Sequence, residues 1–121
     1  MKLHILGSGT CVPNIRRGSS GYALELSKST ILLDCGNGTT WKLGMVGVDY
    51  LKVDHIFITH FHPDHTADLI PFLFATKYPP KRQGKTTCYM GSKRLYQVLL
   101  IFKNGLRRLD CSRYVNCKRY K

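Results

Sequence analysis

The stretch "THFHPDH" (residues 59–65) places three histidines and one aspartate, all potential metal ligands, within six consecutive positions. The segment 55–59 ("HIFIT") is an apolar run that predicts a buried β-strand. The segment 66–78 ("TADLIPFLFATKY") is apolar enough for a helix packed on a sheet, with Pro71 near its start, where proline is tolerated. The ligand-type side chains therefore lie at a predicted strand-to-helix junction, where a metal-binding loop explains them better than a solvated polar loop.

Spacing within this junction divides the four side chains into two pairs. Just past a strand end, side chains two positions apart point the same way, so His60 and His62 can hold one cation. Asp64 and His65 lie where the chain enters the helix and can face a second position beside it. These ligands suit zinc, manganese or iron. Two such ions about 4 Å apart can hold a bridging hydroxide and polarise a phosphoryl or carbonyl oxygen.

The rest of the chain alternates strand-like and helix-like segments. Strands are predicted at 2–6, at 22–27 and 30–34 as a hairpin, and at 86–90. Helices are predicted within 35–47, with Trp41 and Met45 on one face, and at 92–102, with Ser92 as the N-cap. Segments 7–21 and 79–85 are rich in turn residues and predict loops. This alternation is typical of an α/β or α+β layered domain.

Three other features have simpler interpretations than a functional site. His4 and His55 each lie within an apolar run, which favours satisfied core or edge histidines over metal ligands. The "GSGT" stretch (7–10) lacks the third glycine of a dinucleotide-binding loop and opens no clear helix, so it predicts a turn. No Gly-x-Ser-x-Gly nucleophile motif occurs in the chain.

Length and composition bound the class of protein. With 121 residues and 43% hydrophobic residues, the chain is expected to form at most one globular domain. No apolar stretch approaches the roughly 20 residues of a spanning helix, and the start lacks the long apolar core of a signal peptide, so no membrane association is expected. The five cysteines are odd in number and lack CxxC spacing, which indicates reduced thiols and a cytoplasmic location.

Charge is distributed very unevenly along the chain. Residues 1–76 hold six basic and six acidic residues, whereas residues 77–121 hold thirteen basic residues and one acidic residue, a net charge of +12. Basic residues with interspersed tyrosines can bind phosphates and stack on bases. A tail that did not evolve with the rest of the chain is the other open explanation.

Three sequence stretches resemble the metallo-β-lactamase superfamily of metallohydrolases. "THFHPDH" carries the HxHxDH signature, and "ILLDCGNGT" (31–39) is similar to the strand and Asp-x-Gly motif of that superfamily. "ILGSGTCVPNIRRGSSGYAL" (5–24) resembles the first strand and glycine-rich loop of ribonuclease Z-like members. The resemblance covers residues 1 to about 100 and implies the N-terminal half of an αββα sandwich. One departure is Pro63, where ribonuclease Z usually has glycine.

The resemblance also implies roles for individual residues. Two divalent metal ions, with zinc favoured over manganese or iron, would be bound by His60 and His62 and by Asp64 and His65. Asp64 would also lie near the attacking water and act in catalysis. Asp34 would support the site from a neighbouring loop, and a turn or N-cap aspartate without a metal role is the alternative.

The predicted organisation is a metallo-β-lactamase-type N-terminal half at 1–102, followed by a basic tail at 103–121. The family's second half supplies further histidine and aspartate ligands, and no histidine follows His65 in this chain. A truncated or frameshifted reading frame and a purposeful RNA-binding tail both remain open as origins of the tail. Whether this polypeptide alone is an enzyme is left undecided by the sequence.

The leading functional hypothesis is a metal-dependent hydrolase most like ribonuclease Z, the 3′-tRNA-processing endoribonuclease, in which a metal-bound hydroxide attacks a phosphodiester such as RNA. One alternative is hydrolysis of a thioester, lactone or sulfate ester within the same superfamily. The other is an inactive fragment or a basic nucleic-acid-binding protein. A homodimer is a further prediction, because it would cover a sheet edge that a missing half leaves exposed.

Overall fold

The computed structural model of the chain describes residues 1–77, 87–105 and 114–116. Its strands are β1 (Lys2–Gly7), β2 (Gly21–Glu25), β3 (Thr30–Leu33), β4 (Val53–Phe57), β5 (Cys88–Gly91) and β6 (Tyr114–Asn116). Its helices are α1 (Thr39–Met45), α2 (Pro63–Thr66), α3 (Leu69–Lys77) and α4 (Lys93–Gly105), with one 3₁₀ turn at Tyr50–Lys52. Within these ranges, the helices are too short or too polar to cross a bilayer.

The strands form one mixed sheet of six strands whose spatial order follows the chain order. β1, β2 and β3 are antiparallel neighbours, whereas β3, β4, β5 and β6 run parallel. The predicted hairpin is confirmed, since Glu25 faces Thr30 and the Leu26 N–H donates to the Ser29 carbonyl at 2.8 Å. Parallel neighbours need crossover connections. Helices accordingly lie between β3 and β4, between β4 and β5, and between β5 and β6.

The hydrophobic core lies between one face of this sheet and the helices. In the central strands, Leu32, Ile56 and Tyr89 are buried, while their neighbours in sequence are partly exposed. Helical side chains complete the same cluster, namely Leu43, Leu69, Phe72, Leu73, Leu95 and Leu99. This strand alternation against helical leucines fixes which side of the sheet carries the helix layer.

The opposite face of the sheet is also apolar. Partly exposed side chains such as Leu24, Leu33 and Phe57 lie on it, and Leu3 and Ile5 of β1 are exposed. Strands that are apolar on both faces are typical of sheets covered on both sides. One sheet with helices on one face is the layered α/β arrangement predicted from the sequence.

The predicted helix at 66–78 is wrong at its start, because two helices occupy this region. α2 ends at Thr66 and α3 begins at Leu69, with Pro71 as its third residue. At the junction, the Asp68 N–H donates to the carbonyl of Cys35 at 2.9 Å rather than to a carbonyl of its own helix. A contact with a distant loop therefore interrupts the helix that hydrophobicity alone predicts.

Other boundaries differ by smaller amounts. β4 begins at Val53, two residues before the predicted strand, because Val53 follows the 3₁₀ turn directly and already pairs with Thr30 of β3. The predicted loop 79–85 lies outside the described residues. α4 extends to Gly105, past the predicted helix end at residue 102, and β6 pairs with β5. The predicted domain limit at residue 102 stays a prediction. β6 is only three residues long, which is too short for a periodic pattern to predict it. Both proposed origins of the basic tail stay predictions.

Candidate metal centre

The four predicted ligands lie in the short connection between β4 and α2. After β4 the chain leaves the sheet, and His62, which is extended with φ −85° and ψ 152°, precedes the first turn of α2. Pro63 opens this helix, where its fixed φ suits the first turn and its missing N–H costs no hydrogen bond. Asp64 and His65 therefore lie on the helical turn that directly follows His60 and His62 in the chain.

The structure brings all four side chains together. One ligand atom from each of His60, His62 and Asp64 lies within 4.8 Å of the others. The imidazole centroid of His60 is 4.7 Å from that of His62 and 3.9 Å from that of His65. Nε2 of His65 is 3.6 Å from Oδ2 of Asp64. His60 and His62 are exposed whereas Asp64 and His65 are half-buried, so the cluster opens to solvent on one side.

Asp34 supports this cluster from the end of β3. Its carboxylate is buried and accepts hydrogen bonds from Nδ1 of His65 at 2.7 Å and from the backbone N–H of Thr59 at 2.9 Å. The hydroxyl groups of Thr59 and Ser20 donate to the same carboxylate at 2.9 and 3.3 Å. Asp34 has a positive φ of 58°, a conformation that aspartate tolerates better than most residues. The sharp turn after β3 thus aims the carboxylate at the ligand loop.

These hydrogen bonds select the nitrogen atoms that are available to a metal. With the Nδ1 proton of His65 donated to Asp34, Nε2 of His65 is left as a free electron-pair donor. The Thr59 hydroxyl, donating to Asp34, can accept from Nδ1 of His60 at 3.1 Å, which likewise leaves Nε2 of His60 free. The proton positions follow from the hydrogen-bond network. Holding one ring nitrogen in this way is how carboxylates orient metal-binding histidines.

The loop that carries Asp34 packs directly on the ligand loop. A side chain at Gly36 would overlap the backbone carbonyl of Asp64, so glycine is required by this close approach. Cys35 precedes Gly36 in this loop. Burial raises the pKa of its thiol well above the usual value, and the nearby charges of Asp68 and Asp34 raise it further. Cys35 is therefore a neutral core thiol at neutral pH rather than a thiolate ligand.

Three supporting residues were missed by the sequence analysis. Thr59 and Ser20 bond to Asp34, and their common residue types give no signal of this role. Asp68 lies inside the helix predicted at 66–78, although an aspartate directly before an apolar helical run is a typical N-cap signal. In the structure its side chain bonds to a different helix, α1, and no sequence pattern predicts that partner.

The two histidines interpreted as core or edge residues lie away from the cluster. His4 is buried, and its Nε2 is 2.6 Å from Oε2 of Glu25, which confirms a satisfied edge histidine. His55 is half-buried, and its Nδ1 finds no hydrogen-bond partner among the described residues. The prediction of a satisfied histidine is therefore not borne out at His55.

The donor set fits a divalent metal ion. In the described part of the chain, His60, His62 and Asp64 are the group of at least three such side chains that lies close enough together for one ion. Two imidazoles, one carboxylate and an open position make up the ligand set of several catalytic zinc sites. The nearby His65 Nε2 and Asp64 carboxylate offer donors for a second ion.

Solved structures with the same architecture identify the fold. Human tRNase Z, short form, superposes with a TM-score of 0.77 and 27% sequence identity over 96% of this chain and 43% of that chain. The metallo-β-lactamase fold protein YhfI from Bacillus subtilis superposes with a TM-score of 0.70 and 21% identity, over 98% of this chain and 44% of that chain. The predicted fold, the N-terminal part of a metallo-β-lactamase αββα sandwich, is confirmed.

Curated relatives give the same result at the sequence level. Ribonuclease Z from Exiguobacterium is 42% identical over 73 residues, which is 60% of this chain and 24% of that protein. Ribonuclease Z from Parabacteroides distasonis is 32% identical over 108 residues, 86% of this chain and 35% of that protein. The chain thus spans about a quarter to a third of these relatives.

Fold, sequence similarity and site together define a ribonuclease Z-like member of the metallo-β-lactamase superfamily, as the sequence resemblance implied. The family model described as "Anti-Pycsar protein Apyc1" matches residues 1–113 of the chain. The chain belongs to this family.

Proposed function

We propose that this chain provides the HxHxDH side of a two-metal site that hydrolyses a phosphodiester bond. The observation that carries the proposal is the convergence of His60, His62 and Asp64, whose ligand atoms lie within 4.8 Å of one another. Similarity to ribonuclease Z and tRNase Z supports the reaction class.

The two metal positions would take different ligands from the cluster. His60 and His62 would bind the first ion, and Asp64 and His65 would bind the second. The orientation of His65 by Asp34 and the 3.6 Å separation of its Nε2 from Asp64 support the second pair. Zinc is the proposed metal, with manganese or iron as alternatives, because imidazole and carboxylate donors suit all three.

When bound, such ions lower the pKa of a coordinated water and neutralise charge that develops on a phosphate. The chain's own residues supply orientation and proton control. Asp64 has a ligand atom within 4.8 Å of those of His60 and His62, and it would accept a proton from the attacking water while fixing its direction. The buried Asp34 carboxylate would hold His65 in one tautomer throughout the reaction.

RNA is the proposed substrate class. Ribonuclease Z and tRNase Z act on RNA according to their names, and residues 77–121 of this chain carry a net charge of +12. For a phosphate-dominated contact with single-stranded RNA, log K should fall with log salt by about 0.7 for each phosphate that is neutralised. Measuring RNA affinity between low and physiological salt gives the number of phosphates contacted.

The central test compares a cluster histidine with a histidine outside the cluster. The purified 121-residue chain and its His62→Ala and His4→Ala variants are loaded with zinc, desalted and analysed for metal content. We expect His62→Ala to lose most of the zinc and His4→Ala to retain it, because His4 bonds to Glu25 and lies outside the cluster. Unchanged zinc content in His62→Ala would overturn the ligand assignment.

Activity is then measured with zinc on matched substrates. A phosphodiester, bis(p-nitrophenyl) phosphate, and a 3′-extended tRNA are compared with a thioester, a lactone and a sulfate ester. Zinc-dependent cleavage of the phosphodiesters, lost in His62→Ala, supports the proposal. Cleavage of the other esters alone would favour the alternative hydrolase, and salt-dependent RNA binding without cleavage would favour a nucleic-acid-binding fragment.

We further propose a homodimer and a cytoplasmic location. β1 is the first strand in the sheet order, and its outer edge pairs with none of the strands that the structure describes. A second copy could cover this edge and the exposed Leu3 and Ile5. A monomeric sedimentation profile would contradict the dimer. Among the described cysteines Cys11, Cys35 and Cys88 are free thiols, which accords with a reducing compartment.

A further inference from the structure

The buried carboxylate of Asp68 connects the ligand loop to a helix that lies far away in sequence. Asp68 follows His65 by three positions and is 7% exposed. Its Oδ1 accepts from the Gly38 N–H at 3.0 Å, and its Oδ2 accepts from the Thr40 N–H at 2.6 Å, across 30 and 28 positions of the chain. Both oxygens are thus engaged at the start of α1, so Asp68 is not itself a metal ligand.

Backbone hydrogen bonds join the same two segments between Asp68 and the cluster. The Cys35 N–H donates to the carbonyl of His65 at 2.8 Å, and the Asp68 N–H donates to the carbonyl of Cys35 at 2.9 Å. At the other end, Asp34 accepts from Thr59 and from His65. We call this set of bonds made by Asp34, Cys35 and Asp68 the interloop clamp. The clamp holds segment 34–40 against segment 59–68 at both ends.

We propose that Asp68 is a positioning residue for the metal cluster, an inference that rests on the proposed metal site. By fixing Gly38 and Thr40, its carboxylate sets the distance of segment 34–40 from α2. That distance decides whether Asp34 reaches Nδ1 of His65 and whether Nε2 of His65 stays directed at Asp64. Asp68 therefore controls the geometry of a ligand through the clamp, without touching the metal.

Electrostatics explain why a carboxylate is needed at this position. The N–H groups of Gly38 and Thr40 belong to the N-terminal end of α1, where unpaired donors favour a negative acceptor. A carboxylate can accept from both at once, one bond to each oxygen. An asparagine at position 68 offers one acceptor, and its NH₂ group would face the second donor. The clamp would then be released on one side with almost no change in side-chain volume.

The test compares Asp68→Asn with Asp49→Asn in the full chain. Asp49 is a matched control, because its carboxylate also caps a helical turn through a backbone N–H, that of Leu51 at 2.9 Å, and contributes nothing to the clamp. Zinc affinity is measured by competition with a chelator, at protein concentrations where circular dichroism shows both variants folded. We expect Asp68→Asn to weaken zinc binding about 10-fold, as removal of outer-shell partners does, and Asp49→Asn to leave it unchanged.

A second measurement needs no metal and separates this inference from the proposed function. In the metal-free protein, ¹⁵N NMR of the imidazoles reports whether His65 is held with its proton on Nδ1. We expect a single Nδ1–H tautomer in the parent chain and in Asp49→Asn, and a mixture of tautomers in Asp68→Asn. If the parent chain binds no zinc, the proposed function fails while the tautomer shift still supports positioning by Asp68. An unchanged His65 tautomer in folded Asp68→Asn would overturn the positioning role.

Discussion

Two short histidine–carboxylate pairs in the described residues have nearly the same length and different surroundings. His65 and Asp34 are 2.7 Å apart at the candidate metal site, and His4 and Glu25 are 2.6 Å apart on the β1–β2 edge of the sheet. In the first pair the carboxylate side chain is 5% exposed and the histidine 18%. In the second pair the histidine side chain is 7% exposed and the carboxylate 39%. The order of burial is therefore reversed.

This reversal separates a pair at the proposed metal site from a pair at the sheet edge. Asp34 is buried by a network that includes Thr59 and Ser20, and it presents His65 to the open side of the cluster. Glu25 is partly exposed to water and bonds to His4, which the sheet buries. A buried, multiply bonded carboxylate can orient a ligand, whereas a solvated one satisfies its partner at little energetic cost. The distance between the partners does not distinguish the two cases.

Replacing the histidine of each pair gives the largest expected difference. His65→Ala removes a proposed ligand and is expected to weaken zinc binding by at least about 100-fold, at or beyond the upper limit for outer-shell partners. His4→Ala is expected to leave zinc affinity unchanged, because His4 bonds to Glu25 and lies outside the cluster. Competition titration against a chelator measures both. Equal losses of zinc affinity in His65→Ala and His4→Ala would contradict the distinction between the two pairs.

Replacing the carboxylates is expected to give a smaller difference in the same direction. Asp34→Asn keeps the size of the side chain but loses the charge and one acceptor, so we expect zinc affinity to fall by about 10- to 100-fold. Glu25→Gln, the matched change at the sheet edge, should not alter zinc affinity. The same titration checks this prediction. Unchanged zinc affinity in Asp34→Asn would mean that Asp34 is a turn aspartate without a metal role, which is the alternative interpretation of the sequence.

The smallest expected effect is the contribution of the His4–Glu25 pair to the pH dependence of folding stability. The hydrogen bond from His4 lowers the pKa of the Glu25 carboxyl below its usual value. A lowered folded-state pKa adds stability that is present above the unfolded-state pKa and is lost as the pH falls through the folded-state value. The free energy of unfolding, measured with urea, should therefore fall more steeply with decreasing pH in the parent chain than in Glu25→Gln. If the free energy of unfolding of both proteins changed with pH in parallel, the His4–Glu25 pair would not be stabilising.

Much of the fold could be predicted because local signals agree with the tertiary structure. The β2–β3 hairpin follows from alternating residues with a turn between them, and α4 begins directly after Ser92, as the predicted N-cap requires. The predicted helix at 66–78 failed at Asp68, where a hydrogen bond to a distant loop competes with the helix. Trp41 and Met45 share a face of α1 as predicted, but this face is exposed, since Leu43 supplies the buried contact. Periodicity identifies a shared face and does not determine what covers it.

For the candidate site, the sequence by itself determined which groups can bind a metal. His60, His62, Asp64 and His65 are neighbours in the chain, so a strand end and one helical turn are enough to gather them. The tertiary structure alone decided how these groups are oriented. Asp34, Thr59 and Asp68 reach the cluster or its supporting loop through contacts of which most span 25 or more positions. Because such contacts depend on how β3, β4 and α1 pack together, no local pattern in the sequence encodes them.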